Sequence, residues 1–302
     1  MSYLALSKNE GHSQFGPVTS TLSVKLKEFY PERDFNARKG DYGRVIIAGG
    51  SNRYSGCLAF NSLAALRAGA DLAIIVAPER PANIVASYSP DLITIPSRTS
   101  YPDPKEVMEA LEPADSLIVG CGVERTRSAH DALVSIIRKC TKPMVIDAES
   151  LHAIADKPTV VHGKKAVLTP NGGEYKTLTG KEFPETSDEK EKAAKLLAKK
   201  FGCTVIVKGS HDYISDGTRV SIDRASSPYM TKGGHGDLLA GVIAAHLARG
   251  ENEFDAARIG AFIVGRAGEL AAKKFGESLL ASDVLEFIPL ILASKARKEY
   301  LV

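Results

Sequence analysis

Seven strand-length runs rich in Val, Ile and Leu, each followed by a longer stretch of helical or loop character, limit most strongly what this sequence can fold into. They are RVIIAG from Arg44, DLAIIVA from Asp71, DLITI from Asp91, DSLIVG from Asp115, PMVID from Pro143, KAVLT from Lys165 and CTVIVKG from Cys203. Alternation of strand and helix predicts parallel strands joined by crossover helices. The runs are nearly continuous in apolar residues, as strands covered on both faces must be. An α/β fold is expected, with a central mostly parallel β-sheet flanked by helices on both faces. No repeat, low-complexity tract or Pro/Ser-rich linker divides the 302 residues, so one domain is expected over residues 37–302. Residues 1–36 read as an N-terminal arm, with one amphipathic segment from Leu22 to Phe29 ahead of Pro31.

Local chemistry refines this pattern. A helix is expected near Asp188, where Thr186 and Glu189 have capping-box spacing and Ala193, Leu197 and Phe201 recur every fourth residue. DYISDGTRVSIDR, from Asp212, reads as a hairpin that turns through Ser215, Asp216 and Gly217. Past Pro228 the pattern is mainly helical through Lys298. Lys and Arg total 39 against 36 Asp and Glu, without a basic stripe of interleaved aromatics, so a small-molecule partner is expected and nucleic acid is not. Cys57, Cys121, Cys140 and Cys203 lack C-x-x-C spacing, which fits reduced thiols better than a disulfide framework or a metal set. The start, MSYLALSKNEGHS, has no signal-peptide pattern, and no stretch reaches the roughly 18 apolar residues of a membrane span. A cytoplasmic protein without a membrane partner is expected.

The strongest chemical signal is Gly233-Gly234-His235-Gly236-Asp237 running into the apolar helical pattern that starts at Leu238. Glycines that end where a helix begins let backbone N–H groups converge, and the helix dipole favours an anion such as phosphate there. Asp237 would then stand beside the phosphate, placed to accept a proton from an attacking hydroxyl. The same segment is compatible with a tight turn in which Asp237 only complements the dipole. Gly49-Gly50-Ser51, opening a helix at Cys57, matches neither dinucleotide nor P-loop spacing, yet it lies at a strand's carboxyl end, where open α/β sheets bind ligands. Gly120-Cys121-Gly122, Asp147-Ala148-Glu149 and Thr169 to Glu174 end other strands and would share that rim. Lys208-Gly209-Ser210 ends another, where its lysine or backbone could reach a nucleotide or simply turn the chain. His235 could contact phosphate or pack.

Taken in order, these segments resemble the NAD(P)H-hydrate dehydratase family, a branch of the ribokinase-like superfamily, from roughly Thr19 to Ala293. The resemblance is carried by Lys39 to Val45, Gly49-Gly50-Ser51 with Tyr54-Ser55-Gly56, and Arg67 to Ala70. It continues through Ile118 to Gly122, Val145 to Ala148, Leu168-Thr169-Pro170 with Gly173-Glu174, Val207-Lys208-Gly209, and Gly234 to Gly241. It implies repair of NADH and NADPH hydrated on the nicotinamide ring, using ADP or ATP and a magnesium ion whose ligands are not assigned. Asp237 would activate the ring hydroxyl, with Gly234, His235 and Gly236 forming the anion hole. Lys208, Gly209, Ser210, His211, Asp212 and Gly236 match nucleotide-binding positions. Cys57, Gly122, Asn171 and Asp237 match positions that hold the hydrated dinucleotide.

The chain departs from the family's usual residues at His235, Cys121, Cys57 and Asn171, where Thr or Ser, Pro, Ala and His are customary. Asparagine can hydrogen-bond a substrate but takes up no proton at neutral pH. The resemblance also implies a homo-oligomer, such as a tetramer. Because few residues precede the matched region, a separate NAD(P)H-hydrate epimerase is expected to supply the reactive epimer. Two rival readings stay open. One is a small-molecule kinase of the same superfamily, acting on a hydroxymethylpyrimidine, hydroxyethylthiazole or sugar. The other is a catalytically silent nucleotide-binding protein. Nothing in the sequence separates ADP from ATP or NADH from NADPH.

Overall fold

Strand residues alternate between two opposite faces, and each face of this sheet has its own apolar core. The computed structural model describes residues 26–293, so Leu22 to Lys25 of the expected amphipathic segment and Ser294 to Lys298 lie outside the described residues. The first half contains α1 (Leu26–Phe29), β1 (Arg44–Ala48), α2 (Gly56–Arg67), β2 (Leu72–Pro78), α3 (Glu79–Ala86), β3 (Ile93–Ser97), α4 (Pro104–Leu111), β4 (Ser116–Val119) and α5 (Arg127–Lys139). Next come β5 (Met144–Ile146), α6 (Glu149–Ile154), β6 (Ala166–Leu168), α7 (Gly172–Thr179), α8 (Ser187–Phe201) and β7 (Thr204–Val207). The chain then runs through β8 (Asp212–Ser215), β9 (Val220–Asp223), α9 (His235–Ala248), α10 (Glu253–Phe275) and α11 (Ala281–Leu292).

One nine-stranded sheet has the order β3-β2-β1-β4-β5-β6-β7-β8-β9. Pairings from β3 through to β7 are parallel, whereas β8 and β9 add the expected antiparallel hairpin, with Asp212 opposite Asp223. Val45 and Ile47 join the core beneath α2, α9, α10 and α11, while Ile46 and Ala48 join the core beneath α4 to α8. All four are fully buried. The Val45, Ile46 and Ile47 side chains each contribute about 1.5–3 kcal/mol on leaving water, so a one-residue slip in register would be heavily penalised.

Three strands start just inside the expected runs, because the aspartate opening each run lies outside its strand. Two of these aspartates hold loops at the amino edge of the sheet. Asp71 Oδ2 accepts N–H groups from Gly40 and Tyr42, and Asp115 Oδ2 accepts that of Arg44. Leu26 and Tyr30 are buried, and the Tyr30 hydroxyl donates to the Ala68 carbonyl at 2.9 Å. The expectation at Thr186 needs correction. It is the N-cap of α8, but its side chain makes no cap bond to the backbone. Its hydroxyl instead donates to Glu189 Oε2 at 2.7 Å, because an ionised acceptor within reach outcompetes the geometry of the capping box. No described helix is long and apolar enough to cross a membrane.

Candidate active site

β1 is flanked by β2 on one side and β4 on the other, so the chain reverses its direction of travel across the sheet between β1 and β4. Such a switch point leaves a crevice outside the carboxyl ends of the two strands. Gly49 and Gly50 leave β1 there, and Gly120-Cys121-Gly122 leave β4. The Gly50 N–H donates to the Cys121 carbonyl at 2.7 Å and stitches the two turns together. Gly122 has φ +66°, and a Cβ on it would stand 2.4 Å from Cys57 Sγ in the first turn of α2. A side chain there would close the crevice.

The start of α9 faces the same edge. Gly234, its N-cap, has φ +99°, and a Cβ there would lie 2.8 Å from Ala281 Cβ and 2.9 Å from Phe60 Cε2. Only glycine makes this turn without strain. The first N–H groups of α9 have no intrahelical acceptor, which leaves them free for an anion. Asp237 follows in the first turn, with its main chain fixed by Asn61 of α2, whose Nδ2 donates to the Asp237 carbonyl at 2.7 Å. A Cβ on Gly241 would lie 2.3 Å from the Asn61 carbonyl, so α9 and α2 meet in backbone contact one turn further along.

Four charged groups from separate elements converge here. Lys208 Nζ, just past β7, lies 3.1 Å from Asp147 Oδ1 at the end of β5 and 3.9 Å from Glu174 Oε2 in the first turn of α7. These side chains are 19%, 5% and 13% exposed. Thr169 donates to the same Asp147 oxygen at 2.6 Å. Glu174 is locked by a capping box. Its Oε2 accepts the Asn171 N–H at 2.8 Å, and its own N–H donates to Asn171 Oδ1 at 2.9 Å. A Cβ on Gly236 would be 3.2 Å from Lys208 Nζ, which sets the ammonium over the first turn of α9. Ala148, between Asp147 and α6, has φ +50° and is the one non-glycine residue with positive φ among the described residues. Strain of this kind concentrates at functional sites.

One ammonium cannot neutralise three carboxylates in a poorly hydrated edge. Burial, and after it the Asp147 charge, pushes the Asp237 carboxyl up to about 7, with Lys208 opposing and Glu174 adding. Glu174 is raised too, mainly by burial and by Asp147, against the pull of Lys208. Burial alone would lower Lys208, but Asp147 and Glu174 more than offset it and keep the ammonium charged. A carboxyl poised near neutrality at a glycine-started helix end is suited to take up a proton. The surplus of negative charge also fits a divalent cation, since magnesium takes one or two carboxylates and keeps water elsewhere. Asp147 and Glu174 are the carboxylates that would hold it.

The sequence profile of NAD(P)H-hydrate dehydratase matches residues 45–290, most of the chain. The chain belongs to the NAD(P)H-hydrate dehydratase family. It is 33% identical over 279 residues to the ADP-dependent (S)-NAD(P)H-hydrate dehydratase of Cenarchaeum symbiosum, covering 91% of this chain and 96% of that one. It is 38% identical over 265 residues to the bifunctional NAD(P)H-hydrate repair enzyme Nnr of Pyrobaculum aerophilum, covering 86% of this chain and 52% of that one. The chain thus spans about half the length of several curated relatives it matches. Its fold is ribokinase-like. The ADP/ATP-dependent NAD(P)H-hydrate dehydratase of Bacillus subtilis, co-crystallised with ATP and Mg2+, superposes with a TM-score of 0.75 at 20% identity, covering 94% of this chain and 99% of that one. That identity speaks for the fold alone.

Within this dehydratase-family fold the sequence-derived site residues fall into two groups. Lys208, Gly236 and Asp237 share the charged edge, and Cys57 and Gly122 touch across the crevice. Asn171 is exposed and spends its Oδ1 on the capping box, leaving Nδ2 as a donor. Gly209 and Ser210 are exposed at the rim. There the Gly209 N–H donates to Asp212 Oδ1 at 3.2 Å, and His211 Nδ1 bonds the Ser210 carbonyl at 2.7 Å. His235 turns its ring inward. Its Nδ1 donates to the Lys232 carbonyl at 2.9 Å and its Nε2 is buried without a partner, so burial lowers its pKa. Its contribution to the nest is the backbone N–H. Sequence reasoning placed Asp147, Thr169 and Glu174 on the rim without a role and passed over Asn61. The N-x-x-E spacing at Asn171 could have flagged Glu174, but a lone polar residue in an apolar helix gives no such sign.

Proposed function

We propose that the chain dehydrates hydrated NADH or NADPH at the expense of ADP or ATP. The carrying observation is Asp237, a carboxyl with pKa about 7 at a glycine-started helix end, beside the turn where Gly122 leaves no room for a side chain against Cys57. Asp237 takes the proton of the ring hydroxyl as that oxygen bonds to the terminal phosphorus and the nucleotide's bridging P–O bond breaks. Hydroxide leaves poorly and phosphate leaves well, so the ring C–O bond then breaks, the neighbouring ring carbon gives up a proton, and the C=C bond so formed restores the dihydronicotinamide. The N–H groups of Gly234 to Gly236 receive the transferring phosphoryl group, where preorganised donors act most strongly on developing charge. Lys208 to Asp212 and Gly236 hold the nucleotide, while Cys57, Gly122, Asn171 and Asp237 border the dinucleotide. Magnesium held by Asp147 and Glu174 would neutralise phosphate charge when bound.

The name of the Cenarchaeum relative supports ADP as donor and the S hydrate as substrate, and hence a functional link to an NAD(P)H-hydrate epimerase activity. A cytoplasmic homo-oligomer remains part of the reading. The test is to incubate purified protein with magnesium, ADP or ATP, and hydrated NADH, and to follow the dihydronicotinamide absorbance. Nucleotide-dependent recovery is expected. Phosphorylation of a hydroxymethylpyrimidine or hydroxyethylthiazole without recovery would replace this reading with the kinase, and nucleotide binding without either reaction would leave a silent binding protein.

A further inference from the structure

The loop between β1 and α2 sets two exposed side chains beside the switch-point crevice. Arg53 is exposed, and Tyr54 keeps 49% of its surface in solvent. A Cβ on Gly122 would be 3.2 Å from Tyr54 Cβ as well as 2.4 Å from Cys57 Sγ, so the Tyr54 side chain leaves the backbone at the lip of the crevice. Arg53 Cζ lies 5.5 Å from the centre of the Tyr54 ring, which places a cation and an aromatic surface side by side. The main chain that carries them is pinned. The Ser51 N–H donates to the Tyr54 carbonyl at 3.1 Å, and the Tyr54 N–H to the Ser51 carbonyl at 3.2 Å. Buried Ser51 Oγ accepts the N–H groups of Arg53 at 3.3 Å and Tyr54 at 3.2 Å, and Arg80 Nη1 of α3 donates to the Asn52 carbonyl at 2.6 Å. Among the described residues, neither the Arg53 guanidinium nor the Tyr54 hydroxyl has a hydrogen-bond partner, and Arg53 has no ion pair.

We propose that Arg53 and Tyr54 extend the dinucleotide site, with a ring of the ligand packed on Tyr54 and one of its phosphates met by the Arg53 guanidinium. The inference rests on the proposed reading that Cys57 and Gly122 border that ligand. A dinucleotide has the matching chemistry, two heterocyclic rings joined through a pyrophosphate. Every base offers a π-face to an aromatic side chain, and a guanidinium forks onto two phosphate oxygens. Ordering a loop on binding costs free energy, but the bonds between Ser51 and Tyr54 have fixed this main chain beforehand, so only the two side chains are left to order. Because both side chains stand in solvent, removing either leaves the core beneath α2 as it is.

Calorimetry with NADPH tests the pair, on protein already saturated with ADP and magnesium so that the nucleotide site is filled. Tyr54→Ala should lower NADPH affinity about tenfold or more, the effect of losing one base stacked on an aromatic ring, whereas Tyr54→Phe keeps the ring and should bind like the parent. Arg53→Gln should weaken NADPH binding and flatten its dependence on salt. An equal loss with NADH assigns Arg53 to the pyrophosphate, and a loss confined to NADPH assigns it to the 2′-phosphate. Reduced nicotinamide mononucleotide separates the two rings in the same way, since its binding weakens in Tyr54→Ala if the dihydronicotinamide is the stacked ring and holds if adenine is. ADP affinity and Tm should match across the parent and all three variants. Unchanged NADPH affinity in Tyr54→Ala or Arg53→Gln, an equal loss of ADP affinity, or a parent that binds no NADPH overturns the inference. If the parent restores hydrated NADH while both variants bind NADPH unchanged, this inference alone falls. If the variants lose NADPH affinity in a protein that restores no hydrated NADH, the dehydratase reading alone falls.

Discussion

Near neutral pH Asp237 stands at the midpoint of its titration, and a base must be ionised to work. Its carboxyl is raised to about 7 by burial, then by Asp147 and Glu174, so the rate should climb as pH rises through about 7 and level off above it. Glu174→Gln should move this acid limb to lower pH, because it removes one of the charges that disfavour ionised Asp237. Glutamine also serves at the third position of a capping box, so α7 should keep its start. A pH–rate profile of the two proteins checks the direction, and coincident limbs would detach Glu174 from the base. Asp237→Asn removes the base while keeping a side chain of the same shape. Turnover should fall on the order of 10²–10⁴-fold, with nucleotide affinity by calorimetry little changed. An active variant would exclude Asp237 as the proton acceptor.

Glycine and capping chemistry decide where the elements carrying these groups begin. At Gly234, φ +99° and a Cβ 2.8 Å from Ala281 Cβ and 2.9 Å from Phe60 mean that Gly234→Ala strains the backbone and pushes α9 away from both α2 and α11. Chemical denaturation should show a loss of about 1–3 kcal/mol, together with weaker nucleotide binding, since the same turn aims the free N–H groups. Two helix starts share the spacing N-cap-x-x-Glu and differ in the structure. Asn171 and Glu174 exchange both bonds of a capping box, whereas Thr186 and Glu189 bond only to each other. Asn171→Ala should therefore cost about 1 kcal/mol, and Thr186→Ala, at an exposed site, no more than about 0.5 kcal/mol. Equal losses would contradict the bonding described here. The contrast also shows what spacing alone conveys. It marks both helix starts correctly but cannot say which oxygen a hydroxyl will choose.

Across the whole molecule, strand positions and the two-sided sheet were legible because apolar runs and their alternation follow directly from burial. The rim was legible too, since parallel strands bring their carboxyl ends to one edge whatever lies between them. Pairings between distant residues were not. Asn61 reaches Asp237 across 176 residues and Lys208 reaches Asp147 across 61, and neither follows from local pattern. The same long-range packing leaves half-buried carboxyls facing one another at β8 and β9. Asp212 is raised to about 6 by burial, and Asp223, opposite it, to about 7 by burial and then by Asp212. Unfolded, such carboxyls titrate near 3.9. Between that value and about 7 the folded chain holds more protons than the unfolded one, so this pair lowers stability as pH rises and adds no further slope above. Buried His246, depressed to about 3, works in the opposite sense, gaining stability as pH rises toward 6.5. The bare melting curve mixes both effects, and a substitution isolates one. Asp223→Asn should match the parent near pH 4 and exceed it at pH 8 by about 2 kcal/mol, or roughly 4–8 °C in Tm for a domain of this size. A difference independent of pH would mean that the asparagine acts through packing, and that the paired carboxyls are not the source of the slope.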